Sequence, residues 1–504
     1  MDITDYRREF RDFHAARERE NHLRHARSNA RRTLASVHER YSDLWTTEAI
    51  ANLRRALNET PPHLEIQRAS LASLVGFASA TFAHQRAQDV TDELNACEAQ
   101  AKIDWRSTTL AALEAKRAIA QEPDAHLRRE LDARRLGALG ACTDLRIARI
   151  ESEEESATLL GFGSYRELGS ALTGADHSRL TLDAQAFLAQ SRAAYATLLR
   201  HVIPPASSAA SPPTYADYLF FSQVSTLRAR LSPAVVFNSF GATLNSLGLR
   251  LEQQSNLTVE RGDATQPGPD PACFAINPPQ EVVLFIGHAQ GALGLATLLH
   301  QGAKAQSYGW ISRITAERYP ELTHAVDCAA PDGYGCLFRT LLHEPLWLAE
   351  QANLPHQEAA WAAAAFAFLH AHEVRRACAA LQCRLWQNEN FDFRAERVRA
   401  SFAEAFTSAT NFVYHPDQYL MDMEHLIECE AKLRAWSFAA GLNEYLRTRY
   451  GRRWWASRRA ADELVDLWST GSRHKVEELS RMLGFAENNF ELLTDELNVA
   501  AKRE

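Results

Sequence analysis

The sequence predicts a mainly helical fold that carries one small β-sheet. Gly and Pro are sparse, 22 and 18 in 504 residues, so few points interrupt regular structure. Long tracts rich in Ala, Leu, Arg and Glu repeat apolar residues at helical spacing. A single region, about residues 249–286, instead carries short apolar runs bounded by turn residues, the pattern of strands. The length is ample for a large core. With 46% hydrophobic and 23% charged residues, the composition is that of an ordinary globular protein.

From Met1 to about Arg200 the chain reads as a succession of amphipathic helices. Ile50, Leu53 and Leu57 form one apolar stripe, and Val90, Leu94, Cys97 and Ala101 another. Pro61-Pro62 and Glu122-Pro123 break the helices. The Arg-rich stretch from Arg7 to Arg32 has Glu9, Asp12, Glu18 and Glu20 interleaved in its first half, so a solvated helix face is expected there rather than a nucleic-acid patch. The net charge of -8 also argues against a nucleic-acid partner, because release of counterions favours basic proteins.

Met1 to Arg32 holds no apolar targeting segment. The most apolar tract, Ala359 to Ala371, falls short of the roughly 20 residues of a membrane span and is bounded by Glu358 and Glu373. A buried helix is expected, and no membrane partner. The 8 cysteines lack any Cys-x-x-Cys spacing, which points to reduced, mostly buried thiols in a cytoplasmic protein.

Leu160-Gly161-Phe162-Gly163-Ser164-Tyr165-Arg166-Glu167-Leu168 reads as a helix stopped by Gly, with Ser164 capping the next helix. Pro204 to Pro213 is a Pro/Ser/Ala loop, which sets expected regions of 1–203 and 214–504, the two together forming one unit. Leu249, Leu251 and Val259 suggest short strands, while Cys273 to Ile276, a Pro278-Pro279 turn and Val282 to Ile286 form an expected hairpin. Gly287 to Gly294 is a loop leading into a helix with His300, and helices then resume from Leu337 to the C-terminus.

The helix after the hairpin carries the chemistry to be explained. A single-site zinc peptidase places His-Glu-x-x-His there: two imidazoles one turn apart grip the metal, and the Glu takes a proton from the zinc-bound water. This chain has His300, Gln301, Gly302, Ala303 and Lys304.

Four stretches, in order, resemble the thimet oligopeptidase and oligoendopeptidase F family of zinc peptidases. The run from Leu160 to Leu168 is similar to that family's Leu-Gly-Phe-x-Ser-Tyr-x-Glu-Leu segment. Ala272-Cys273-Phe274 through Val282-Val283 resembles the hairpin before its zinc helix, and Ala296-Thr297-Leu298-Leu299-His300 the approach to the metal motif. Asp332-Gly333-Tyr334-Gly335-Cys336-Leu337-Phe338 resembles the Glu-Gly-Tyr-Ala-x-Leu-Phe helix that supplies the third ligand. Leu433 to Trp436, Tyr450 to Trp455 and Leu483-Gly484-Phe485 are similar to its C-terminal helices. The resemblance implies a large two-lobed helical shell enclosing a deep cleft, with the small sheet beside the former zinc helix.

Carried over residue by residue, the resemblance gives a degenerate metal motif. His300 occupies the first ligand position. Gln301 stands at the general-base position, where a carboxamide cannot accept the water proton. Lys304 stands at the second ligand position, and an ammonium has no lone pair for zinc. Asp332 stands at the third, one methylene shorter than Glu. Glu428 falls at the position of a Tyr that steadies the oxyanion, which a carboxylate can do only when protonated. An ion pair of Lys304 with Asp332 is expected in place of the metal's charge, against the alternative of Lys304 reaching solvent. His343-Glu344-Pro345, and His370, His372 and Glu373, lack metal spacing and are read as helix-surface residues.

The leading functional expectation is therefore a pseudopeptidase that binds a peptide or partner protein segment in its cleft, with no metal and no other cofactor. Two alternatives stand beside it. One is an active zinc oligopeptidase with a non-standard site, such as His300, His324 and Asp332. The other is an enzyme with metal-free chemistry in the same cleft, for example through Lys304 as an amine nucleophile.

Overall fold

In a computed structural model the chain is described at residues 1–26, 34–203, 212–262, 269–324, 326–390, 392–421 and 426–502. Most of the expected 204–213 loop and the end of the Arg-rich stretch, 27–32, lie outside the described residues. Among the described residues helices dominate, with one sheet of two strands and one of three. No described helix is long and apolar enough to cross a membrane.

The chain divides into two compact units, neither of them continuous in sequence. One gathers Met1–Ala80, Thr226–Ala363 and Arg434–Leu493; the other gathers Thr81–Ser225, Ala364–Leu433 and Thr494–Glu504. The boundary expected between 203 and 214 falls inside the second unit. Helices pack with whichever faces complete their apolar stripes, and here those partners come from distant stretches of chain.

In the first unit, the helix Ile3–Ala26 buries Tyr6, Phe10, Phe13 and His14 at three- and four-residue spacing. Its Arg-rich face is not simply solvated. Arg7 Nε lies 2.9 Å from the fully buried Glu321, Arg19 lies 2.6 Å from Glu281, and His22 lies 2.7 Å from Glu260. Interleaved charges on this helix thus tie it to the sheet and to a buried carboxylate, which periodicity alone does not reveal.

The sheet comprises Leu257–Arg261, Ala272–Asn277 and Glu281–Gly287. The expected hairpin is present, with Cys273 opposite Leu284 and Phe274 opposite Val283. The last strand in sequence is central, and Leu257–Arg261 joins its far side in parallel. Leu249 lies outside any strand and Leu251 opens a short 3-10 turn, so only Val259 of the three suggested positions is in a strand. The central strand is buried from Val282 to Ile286, as its continuous apolar run requires when both faces are covered. Phe274, Ile276, Val283 and Phe285 pack on one face against Ala15 and Ala26 of the first helix. Alternation turns Cys273, Val282 and Leu284 to the opposite face, beside the helix Gly291–Gly309.

That helix starts at Gly291 (φ 67°) and buries Leu295, Leu298, Leu299, Gly302, Ala303 and Gln306, which leaves His300 and Lys304, one turn apart, on a shared partly exposed stripe. Gly302 is required by packing: a Cβ there would lie 2.3 Å from a ring carbon of the buried Phe240.

The second unit begins its own register of helices and also holds a hairpin, Lys102–Trp105 with Thr108–Ala111, that periodicity did not indicate. Its strands are only four residues long, too short to show alternation, and Arg106 turns the chain at φ 52°. Cys97 and Cys142 are disulfide-bonded, their Cα atoms 6.0 Å apart, which corrects the expectation of reduced thiols throughout. The pairing joins the helix Gln88–Gln100 to the start of Thr143–Leu159, and spacing in sequence gave no sign of that meeting. The other six cysteines form no disulfide.

Leu160 ends the helix Thr143–Leu159, Gly161 turns at φ 86°, and Ser164 Oγ accepts from the Glu167 N–H (3.2 Å) to start Tyr165–Thr173, as the sequence suggested. Ala359 to Ala371 lies within the long helix His356–Asn390 and is mostly buried. Against expectation, His372 is a core residue, fully buried, stacked on Tyr218 at 3.6 Å and within 3.0 Å of the Tyr195 hydroxyl.

Candidate functional site

Two helices of the first unit build the site. Gly291–Gly309 supplies His300, Gln301 and Lys304, and Ala329–Thr340 supplies Asp332. Their approach depends on the motif Asp332-Gly333-Tyr334-Gly335. A Cβ on Gly335 would lie 2.5 Å from Nδ1 of His300, and one on Gly333 would lie 2.6 Å from a ring carbon of Phe438. The start of the second helix is fixed by Asp327, whose carboxylate accepts from the Ala329 N–H (3.0 Å) and lies 2.8 Å from the buried Arg434. Arg434 also donates to Glu477 at 2.6 and 2.8 Å. Asp327 and Arg434, far apart in the sequence, thus meet to hold the Asp332 helix in place.

At the centre, Lys304 Nζ donates to Asp332 Oδ1 at 2.6 Å. His300 Nε2 lies 3.4 Å from the same oxygen, a much weaker contact. The side chains of His300, Lys304 and Asp332 are each about one-fifth exposed. Gln301 turns to the sheet, where its Oε1 accepts from the Cys273 N–H at 3.2 Å. Nδ1 of His300 is buried with no hydrogen-bond partner, facing Gly335.

Electrostatics follow from that geometry. Burial works against the charged form of Lys304, but the Asp332 carboxylate outweighs it and holds the ammonium above its ordinary range. For Asp332, burial favours the acid, while the Lys304 charge and the His300 hydrogen bond prevail and hold the carboxyl well below the carboxylate range. Burial pushes the His300 imidazole down, against the pull of Asp332. Burial also pushes the thiol of the half-buried Cys273 up, to about 12, so it is not a nucleophile at neutral pH. The site is a balanced ion pair beside a neutral imidazole.

These residues do not fit a zinc ion. Lys304 offers no lone pair, its ammonium is bonded to the carboxylate that would be the third ligand, and Nδ1 of His300 has no partner to orient the ring. Among the described residues no three His, Cys, Asp or Glu side chains are grouped so as to hold a metal. His324 does not complete such a set. Its ring stacks on that of His14 at 4.2 Å near Phe10, where burial pushes its pKa down to about 3.

Other candidate positions have other partners. Glu344 lies 2.6 Å from Arg452 and 3.5 Å from Arg447, so it serves as an ion-pair partner beside the half-buried His343. Glu428 is exposed on the helix Leu426–Tyr450, in the second unit. Sequence reasoning overlooked Gly335 and Cys273; the one available signal was Gly335 standing where the resembling motif has Ala.

Comparison with known proteins bears on the fold. No family model matches the sequence, and no curated protein matches it. Solved structures do. PZ peptidase A bound to an inhibitor superposes with a TM-score of 0.66 at 12% identity, covering 98% of this chain and 90% of that one. A protein assigned as oligoendopeptidase F gives 0.66 at 14% identity, covering 100% and 96%. Another so assigned, from Bacillus anthracis strain Ames, gives 0.62 at 12% identity, covering 97% and 88%. The chain has the oligopeptidase fold. Likeness over nearly the whole of each chain at such low identity means that the oligopeptidase fold is held by packing pattern, and it leaves the chemistry to be read from the residues.

Proposed function

We propose that this oligopeptidase-like protein is catalytically impaired and binds an extended peptide or partner segment instead of cutting it. The observation that carries the reading is the Lys304 ammonium 2.6 Å from Asp332, at positions where the resemblance implies ligands for a Lewis acid. Gln301 supports it. Its amide is engaged by the Cys273 N–H, and a carboxamide takes no proton from water.

Binding needs less than cutting. An extended segment can be held by backbone pairing along a strand and by side-chain contacts, with no metal or base. The strand Ala272–Asn277 ends the sheet on the side of the His300 helix, and the Lys304–Asp332 pair offers one donor and one acceptor to a passing backbone. No catalytic residue and no cofactor is assigned to the Lys304–Asp332 region.

The test uses the full chain purified without chelator. Metal content, cleavage of a quenched fluorescent peptide library and retention of that library on immobilised protein are measured together. Retention without cleavage, at substoichiometric zinc, is expected. Stoichiometric zinc with chelator-sensitive cleavage would sink the proposal.

A further inference from the structure

Within the second unit, three residues from separate stretches meet in an order that supports nucleophilic chemistry. Ser170 Oγ, on the helix Tyr165–Thr173, lies 3.0 Å from Nδ1 of His177. His177 opens the helix His177–Gln190, and its Nε2 is hydrogen-bonded to Glu430 Oε1 on the helix Leu426–Tyr450. Glu430 is fully buried and His177 nearly so, whereas Ser170 is only partly buried. Thr173 Oγ1 lies 3.4 Å from the other oxygen of Glu430.

Ser170 lines a cavity of about 490 Å³ together with Ser164, Arg166, Glu167, Asp176 and His177 among others. That volume suits a small organic ligand. The two carboxylates of the lining face helix starts: Glu167 accepts from the Gly163 N–H (2.7 Å), and Asp176 from the N–H groups of Ser178 and Arg179 (3.0 Å each). Arg166 is the cation of the lining.

We propose that Ser170, His177 and Glu430 form a nucleophilic site for small acyl esters, with Arg166 offsetting the negative charge that develops on the carbonyl oxygen. Glu430 accepts the Nε2 proton of His177, which fixes the tautomer whose Nδ1 lone pair faces Ser170. The Ser170 proton has two acceptors, Nδ1 at 3.0 Å and the Ala175 carbonyl at 3.1 Å, so rotation about one bond aligns it with the base. Ser170 Oγ then bonds to the acyl carbon as its proton passes to Nδ1, and the alkoxide leaves with that proton as an alcohol. Water, deprotonated by Nδ1, attacks the acyl-serine and releases the acid, restoring Ser170. The roles of the two ring nitrogens are the reverse of those in the serine-protease triad, but the relay is equivalent because imidazole carries a proton on one nitrogen and a lone pair on the other.

Nothing in this site depends on metal or on the Lys304 region, so its test stands apart from that of the peptide-binding reading. The full chain is treated with a fluorescent fluorophosphonate and, separately, with 4-nitrophenyl acetate, each with and without chelator. Labelling at Ser170, located by peptide mapping and insensitive to chelator, is expected. Ser170→Ala should reduce labelling and ester turnover to background while its circular dichroism matches the parent. Ser170→Cys should gain reactivity toward iodoacetamide at that position, activated by His177. Arg166→Gln should slow ester turnover by tenfold or more without preventing folding. An unlabelled parent protein overturns the proposal, as does equal labelling of Ser170→Ala, and the trio is then a buried structural brace.

Discussion

Two histidines of this protein each meet a carboxylate, and the two meetings differ in the third group. At His300 the third group is the Lys304 ammonium, which lies 2.6 Å from Asp332 and leaves the imidazole at 3.4 Å. At His177 the third group is a hydroxyl, and the ring bridges Ser170 and the buried Glu430. A carboxylate facing a cation makes a static pair; a carboxylate facing an imidazole whose other nitrogen meets a hydroxyl makes a path for a proton. Sequence resemblance draws attention to the first cluster, while the geometry that favours proton transfer belongs to the second.

The comparison can be broken most decisively at the metal. Gln301→Glu, Lys304→His and Asp332→Glu together should bind zinc stoichiometrically after gel filtration, measured by elemental analysis, whereas Lys304→Met alone should not. A triple variant that binds no zinc would mean that His300 does not stand at a ligand position.

A second test compares stabilities. Glu430→Ala removes the partner of a nearly buried His177 and should lower unfolding stability by about 3 kcal/mol in urea. Lys304→Met leaves Asp332 without its cation, but at a site one-fifth exposed, so about 1–2 kcal/mol is expected. Equal losses would contradict the contrast in burial.

Acid should sharpen the same contrast. Asp332 is held below its unfolded pKa of about 3.9, so its contribution is complete above about pH 5 and declines as the pH falls through that value. Lys304 is held above its unfolded value of about 10.4, so its contribution is present below that value and is lost only as the pH rises past the folded one. The stability gap between the parent and Lys304→Met should therefore be flat from about pH 5 to 10 and should shrink towards pH 3. A gap that grows in acid would assign the pair the wrong charge states.

The smallest effect is expected at Gly335→Ala. Alanine favours a helix by about 1 kcal/mol, but its Cβ would meet His300 at 2.5 Å. Overpacking of that kind costs about 1–3 kcal/mol, so a net loss of about 1 is expected in thermal unfolding. A stabilised variant would show that His300 moves aside freely.

Much of this was legible in the sequence, for identifiable reasons. The helix stop at Gly161 and cap at Ser164 are local, as is the hairpin whose inner strand runs from Val282 to Ile286. His300 and Lys304 share a stripe because four residues make one turn, and local periodicity states that directly. The disulfide of Cys97 with Cys142 was hidden by a separation of 45 residues, and the buried His372 by a helix whose apolar face is nearly continuous.

By itself, then, the sequence determined the helical class, the hairpin and the helix stripe that His300 and Lys304 share, since each follows from backbone periodicity over a few residues. Only the tertiary structure decided which groups meet: Lys304 with Asp332, Gln301 with Cys273, Leu257–Arg261 in parallel with the central strand, and His177 with Glu430 across 253 positions. Such meetings depend on how whole helices close against one another, and no spacing along the chain encodes them.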